Sequence, residues 1–199
     1  MSRLLPFKPA RIVYTASKPR PIDLESPAFR TLAEDDYIQL HKSARGTLPV
    51  PMENVTELRE LARVSDVVMC VPADSVLASF NKSTYHVVDA EFLAAMKCVA
   101  ANRPTAYLVN VARGPLVDTD ALVSALRSRQ ITGAALDVVE GEPNIPADHP
   151  LLAPDIADYL VIAPHIASAT SEARHTMADV CANNTLGALG IGEMVFEVK

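Results

Sequence analysis

The chain has 199 residues, 49% of them hydrophobic and 21% charged, with a formal net charge of −6. That length supports one domain with a sizeable core. The acidic balance, with both signs interspersed, argues against a duplex-binding surface, and the apolar runs fall short of the roughly 20 residues that a membrane helix needs.

The first 22 residues carry Arg3, Lys8, Arg11, Lys18 and Arg20 and no acid, which mimics a transit peptide. Pro6, Pro9, Pro19 and Pro21 break the amphipathic helix that such a peptide requires. Short β-branched apolar runs then predict strands at 11–16, 37–40, 66–71, 106–112, 134–139 and 159–163. Helical periodicity is predicted over 55–64, 90–101, 119–129 and 170–189, with Asp118, or else Thr119, as the cap of the third. Residues 21–52 are rich in proline and charge and read as irregular. Alternation of this kind implies βαβ crossovers and a mostly parallel, doubly wound α/β sheet. Cys70, Cys98 and Cys181 are odd in number and far apart, which suggests neither a disulfide framework nor a metal pair and fits a reducing, cytoplasmic compartment. The five histidines show no metal-ligand spacing, so no metal site is expected. Met69, Met96 and Met177 read as core or interface packing.

Ligands of an open parallel sheet sit beyond the carboxyl ends of its strands. Those ends carry Ser17-Lys18-Pro19-Arg20, Val71-Pro72, Arg113-Gly114-Pro115, Glu140-Gly141-Glu142 and Pro164-His165. Taken singly, each has a plain reading: Arg113 caps a turn or pairs at the surface, Glu142 is a solvated charge, His165 is a turn histidine. Together they form a chemical set. Arginine stays charged and can grip a carboxylate with two parallel hydrogen bonds. A carboxylate beside an imidazole favours the imidazolium and orients it, and the imidazolium can protonate a substrate oxygen. The set suits reduction of a carbonyl next to a carboxylate, with hydride from a nicotinamide cofactor.

Three segments, "LVNVARGPLVD", "GAALDVVEGEP" and "VIAPHIASAT", resemble the signature segments of the D-isomer-specific 2-hydroxyacid dehydrogenases. "RIVYTASKPRP", "SDVVMCVP" and "HTMADVCANNTLGALGIGEM" resemble the glyoxylate/hydroxypyruvate reductases among them. The resemblance implies a Rossmann-like fold and reduction of a small 2-oxo acid, glyoxylate or hydroxypyruvate. It implies Arg113, Glu142 and His165 as catalytic residues, with Arg113, His165 and Ser168 at the substrate. It places Val71, Pro72, Val111, Ala112, Asp137 and Ala167 at the cofactor, with Asp137 toward the carboxamide and Ala167 where the family usually has glycine. A homodimer is implied by the resemblance alone. Ser17, Lys18, Pro19 and Arg20 offer a hydroxyl and two cations where an NAD site usually has an acid, which favours NADPH, with NADH as the other possibility. A solvated basic turn is the competing reading.

No G-x-G-x-x-G occurs; "GALGIG" follows a helix rather than a strand. Against the family, the sequence is expected to be N-terminally truncated. Residues 1–165 then form a partial dinucleotide-binding domain, and 166–199 a helical segment returning to a substrate domain outside this chain. Impaired activity is one expectation. A non-catalytic dinucleotide-binding or interaction module is the alternative.

Overall fold

The computed structural model describes residues 12–15, 52–70, 84–100 and 103–192. Strands β1 (Ile12–Tyr14) and β2 (Met52–Asn54) pair in parallel as a two-stranded unit. Helix α1 (Leu58–Val64) leads into β3 (Val67–Cys70). Helix α2 (Ala90–Ala95) is followed by a short antiparallel hairpin, β4 (Cys98–Ala100) with β5 (Arg103–Pro104). Then come β6 (Tyr107–Asn110), α3 (Thr119–Arg127), β7 (Gly133–Leu136), β8 (Leu160–Ile162) and α4 (Ser171–Ala188). The main sheet is all-parallel in the order β3-β6-β7-β8. The parallel α/β class expected from the alternating pattern, Rossmann-like by the resemblance, is the fold observed.

Register fixes where the loops emerge. Asn110 lies beside Leu136, and Leu136 beside Ile162, so β6, β7 and β8 end in step. Short side chains make this sheet possible at its centre: a Cβ at Gly133 would lie 2.9 Å from the Tyr159 carbonyl oxygen. One sheet face supplies Val68, Leu108, Ala134 and Leu136 to a core shared with Phe92 and Leu93 of α2 and Leu122 and Leu126 of α3. In α3 the buried residues recur at helical spacing: Leu122, Val123, Ala125 and Leu126. Asp89 and Asp118 cap α2 and α3 by accepting from Phe92 N and Ala121 N, at 2.8 and 3.0 Å.

The opposite sheet face presents Val67, Met69, Tyr107 and Val161 to solvent. None of the residues of α4 is buried. Of the three methionines read as core or interface packing, Met96 is in the core; Met69 lies on the open sheet face and Met177 on α4, both exposed. Two expectations need correction. The helix expected over 90–101 stops at Ala95: Met96 is already extended, and the chain forms the hairpin that ends at Pro104, whose ring forces Arg103 from helical geometry. Strand β2 lies at the border of the region read as irregular, since three residues reading Met-Glu-Asn carry no apolar alternation. The strand expected at 37–40 lies outside the described residues. No helix among the described residues is long and apolar enough to cross a membrane, and no group of three or more metal-ligating side chains occurs among them.

No disulfide joins Cys70, Cys98 or Cys181, and burial pushes the Cys70 thiol up from 9.0 to about 12. A buried neutral thiol contributes its full share of stability below pH 9; the contribution drains away as pH rises toward 12, where the unfolded chain ionises first. At pH 8.5, iodoacetamide should therefore label Cys98 and Cys181 in the native protein and Cys70 only after unfolding. Equal labelling of all three, read by peptide mass spectrometry, would contradict the burial of Cys70.

Candidate active site

The corner after β6 answers why a buried strand delivers an arginine. Asn110, fully buried, turns the chain: its Nδ2 donates to the Arg113 carbonyl at 2.9 Å, and its Oδ1 accepts from Ala112 N at 3.1 Å. Gly114 opens a 3₁₀ turn, Gly114–Leu116. A Cβ there would stand 2.3 Å from the Val139 carbonyl carbon and 2.4 Å from Glu140 N. The glycine thus lets this corner press backbone to backbone against the loop that follows β7. Arg113 emerges half-buried, its Nη1 donating to the Ala112 carbonyl at 2.6 Å. That uses one of five guanidinium donors and leaves the others for a ligand.

Asp137, at the end of β7, is the other buried polar residue among those described. Its N donates to the Asn110 carbonyl at 2.9 Å. Its two carboxylate oxygens accept from Ile166 N at 2.8 Å and Ala167 N at 2.9 Å. With both oxygens hydrogen-bonded, the buried carboxyl group is satisfied, and it ties down the loop after β8.

That loop carries His165. Its φ of 54° is left-handed, a conformation costing a non-glycine residue roughly 1–2 kcal/mol. The two bonds from Asp137 to the next two amides offset that cost. His165 Nδ1 lies 2.9 Å from Glu142 Oε1. Glu142 itself follows Gly141 (φ 93°) in a turn closed by Glu142 N donating to the Val139 carbonyl at 3.3 Å. The histidine side chain is 51% exposed, so its ion pair adds at most about 1 kcal/mol of stability. Its effect on orientation is larger: with Nδ1 on the carboxylate, Nε2 is the nitrogen left to face a ligand.

The structure thus joins Glu142 and His165 directly and brings Arg113 to the same carboxyl edge on the adjacent strand. Among the described residues no hydrogen bond or ion pair links Arg113 to either of them. Val111 is exposed and Ala112 buried at the same strand end; Ala167 is exposed and Ser168 half-buried beyond His165. Ser17, Lys18, Pro19, Arg20, Val71 and Pro72 lie outside the described residues. The supporting roles of Asn110 and of the Asp137 carboxylate toward 166–167 escaped sequence reading. The available signal was a lone amide or acid ending an apolar strand, a position where burial demands partners.

Because the corner meets its neighbour through backbone, Gly114→Ala should be destabilising by about 3 kcal/mol in urea unfolding, the upper range for forcing a methyl into a packed site. An unchanged midpoint would mean that the two loops do not touch.

The chain is 47% identical over 145 residues to a glyoxylate reductase of Thermofilum pendens, an overlap of 73% of this chain and 38% of that one. It is 46% identical over 130 residues to a glyoxylate reductase of Thermococcus onnurineus, covering 65% of this chain and 34% of the relative. It superposes with TM-score 0.63 and 29% identity on the NADPH-dependent glyoxylate/hydroxypyruvate reductase of Sinorhizobium meliloti in complex with NADP and malonate, covering 98% of this chain and 47% of that one. The chain thus spans a little over a third of these curated relatives and about half of that solved structure. Residues 36–167 match the D-isomer specific 2-hydroxyacid dehydrogenase, NAD binding domain, and the chain belongs to that family.

Proposed function

We propose that the chain is the nucleotide-binding part of an NADPH-dependent reductase of small 2-oxo acids, glyoxylate or hydroxypyruvate. The observation that carries this reading is the 2.9 Å contact between His165 Nδ1 and Glu142 Oε1, at the same sheet edge as Arg113. The names of the reductases of Thermofilum pendens and Sinorhizobium meliloti support the substrate class.

The residues present fit a nicotinamide: an exposed apolar Val111 suits a ring face, and the polar His165–Glu142 pair stands at the end of the strand two over. Val111, Ala112, Asp137 and Ala167, with Val71 and Pro72, are the residues that would hold it. Ser17, Lys18, Pro19 and Arg20 would take the 2′-phosphate. When bound, the cofactor supplies the hydride, which no side chain can. Arg113 grips the substrate carboxylate and polarises the neighbouring carbonyl. His165 donates the Nε2 proton to the carbonyl oxygen, with Ser168 beside it at the substrate. Glu142 holds the ring aligned, so that Nε2 is the atom presented to the carbonyl oxygen. Asp137 keeps His165 in place through the 166–167 amides, a duty compatible with a contact to the carboxamide because each oxygen has a second lone pair.

The division into a nucleotide-binding part, 1–165, and a helical segment, 166–199, that joins a substrate domain belongs to this reading. Helix α4, without a buried residue, supports it. The exposed apolar sheet face supports a homodimer, and three cysteines without a disulfide support a cytoplasmic setting.

His165→Gln should lower turnover of glyoxylate or hydroxypyruvate by about 10²–10⁴-fold while NADPH binding, followed by nicotinamide fluorescence, stays within a factor of about two. Turnover at the parent rate would refute the proton donor. Lys18→Ala combined with Arg20→Ala should weaken NADPH more than NADH; equal losses in the same titration would reject the phosphate site.

A further inference from the structure

A second histidine also meets carboxylates, beside the described pair. His86 Nε2 lies 2.9 Å from Glu140 Oε2, and Nδ1 lies 3.5 Å from Asp118 Oδ2. The first is a hydrogen bond; the second is an ion-pair distance. Asp118 is already fixed by capping α3 through its other oxygen. The Tyr85 ring stacks on His86 at 3.8 Å between centroids, and its side chain hydrogen-bonds Glu140, which together with burial pushes the phenol up. The backbone around His86 is stitched along the arginine corner: His86 N donates to the Pro115 carbonyl at 2.8 Å, Val88 N to Leu116 at 3.0 Å, and Asp118 N to Val88 at 3.1 Å. His86 holds a left-handed φ of 52°, one of three such non-glycine residues among those described, and His165 is another. Strain of this kind persists where the surroundings over-determine it, and it concentrates at functional sites.

Glu140 and Glu142 flank Gly141. The Gly114 contact steadies the chain only as far as Val139–Glu140, and the turn beyond is closed by bonds of 3.1–3.3 Å. Gly141 packs loosely: a Cβ there would meet only Ile145, at 3.7 Å. The Glu140 side chain is therefore the last firm anchor before the carboxylate that touches His165. We propose that His86 is a positioning residue for that carboxylate: by holding Glu140 against the arginine corner, it sets the 140–142 loop so that Glu142 reaches His165. The inference rests on reading Glu142–His165 as the proton-donating pair.

Carbethoxylation by diethylpyrocarbonate at neutral pH tests it on the full chain, followed peptide by peptide in the mass spectrometer. While Glu142 is seated on Nδ1, that nitrogen is withheld from the reagent, so His165 reacts more slowly than an unpartnered imidazole. Glu142→Ala gives the rate for an unpartnered His165. His86→Ala and His86→Phe should each raise the His165 rate about three- to tenfold, the worth of one hydrogen bond, with His149 and His175 unchanged. His86→Gln, which can still donate to Glu140, should restore most of the protection. A His165 rate unmoved in His86→Ala and His86→Phe, with Glu142→Ala raised, overturns the positioning role and leaves the proton-donor reading standing. An unmoved rate in Glu142→Ala takes both down. If His86→Ala loses its helical circular dichroism, Glu140→Ala takes its place, with the same expected rise and the same overturning result.

Discussion

The site depends on one constraint: β6, β7 and β8 run the same way and end level. Parallel strands hydrogen-bonded in register must release their loops on one edge, whatever the loops contain. Given that, three residues separated by 29 and then 23 positions, Arg113, Glu142 and His165, need no long-range accident to share one edge. The remaining problem is orientation over a few ångströms, and the loops solve it with backbone contacts rather than side-chain packing.

Two buried polar residues carry that orientation. In an apolar core an amide or carboxylate is costly unless every polar atom is paired. Asn110 satisfies this by folding the arginine corner onto itself, and Asp137 by reaching to the histidine loop. Each converts the cost of its own burial into a fixed loop geometry. The exposed Arg127–Asp155 bridge, across α3, shows the contrast. Each partner stabilises the charged form of the other, but both sit in solvent and fix no part of the site.

The sequence makes the strand cores legible because strands of a parallel sheet read as apolar runs, here even on the face that the described residues leave open. The pattern for β3, β6, β7 and β8 therefore locates each strand to within a few residues. The Asp118 cap is legible for a local reason, since its partner is three residues away. What resists reading depends on contacts between distant segments. His86 and Glu140 are 54 positions apart, and neither belongs to a periodic pattern. Asp137 reads as a ligand group, but its bonds to 166 and 167 follow from how β8 turns back, which no local propensity encodes. The hairpin after α2 was hidden because alanines at 100 and 101 favour helix; the proline at 104 and the start of β6 decide otherwise. Side chains such as Met69 read as core or interface alike, because apolar character does not say which sheet face is covered.

The glycine at the arginine corner has a further consequence for how this architecture can diversify. A contact made only of main-chain atoms is indifferent to the identity of the neighbouring side chains. Residues around Arg113 and Glu142 can be exchanged to reshape this edge of the sheet while the two loops keep their mutual placement. Changes in loop length are another matter. One residue inserted on either side would slide main chain past main chain, and the arginine and the glutamate would lose their common frame together.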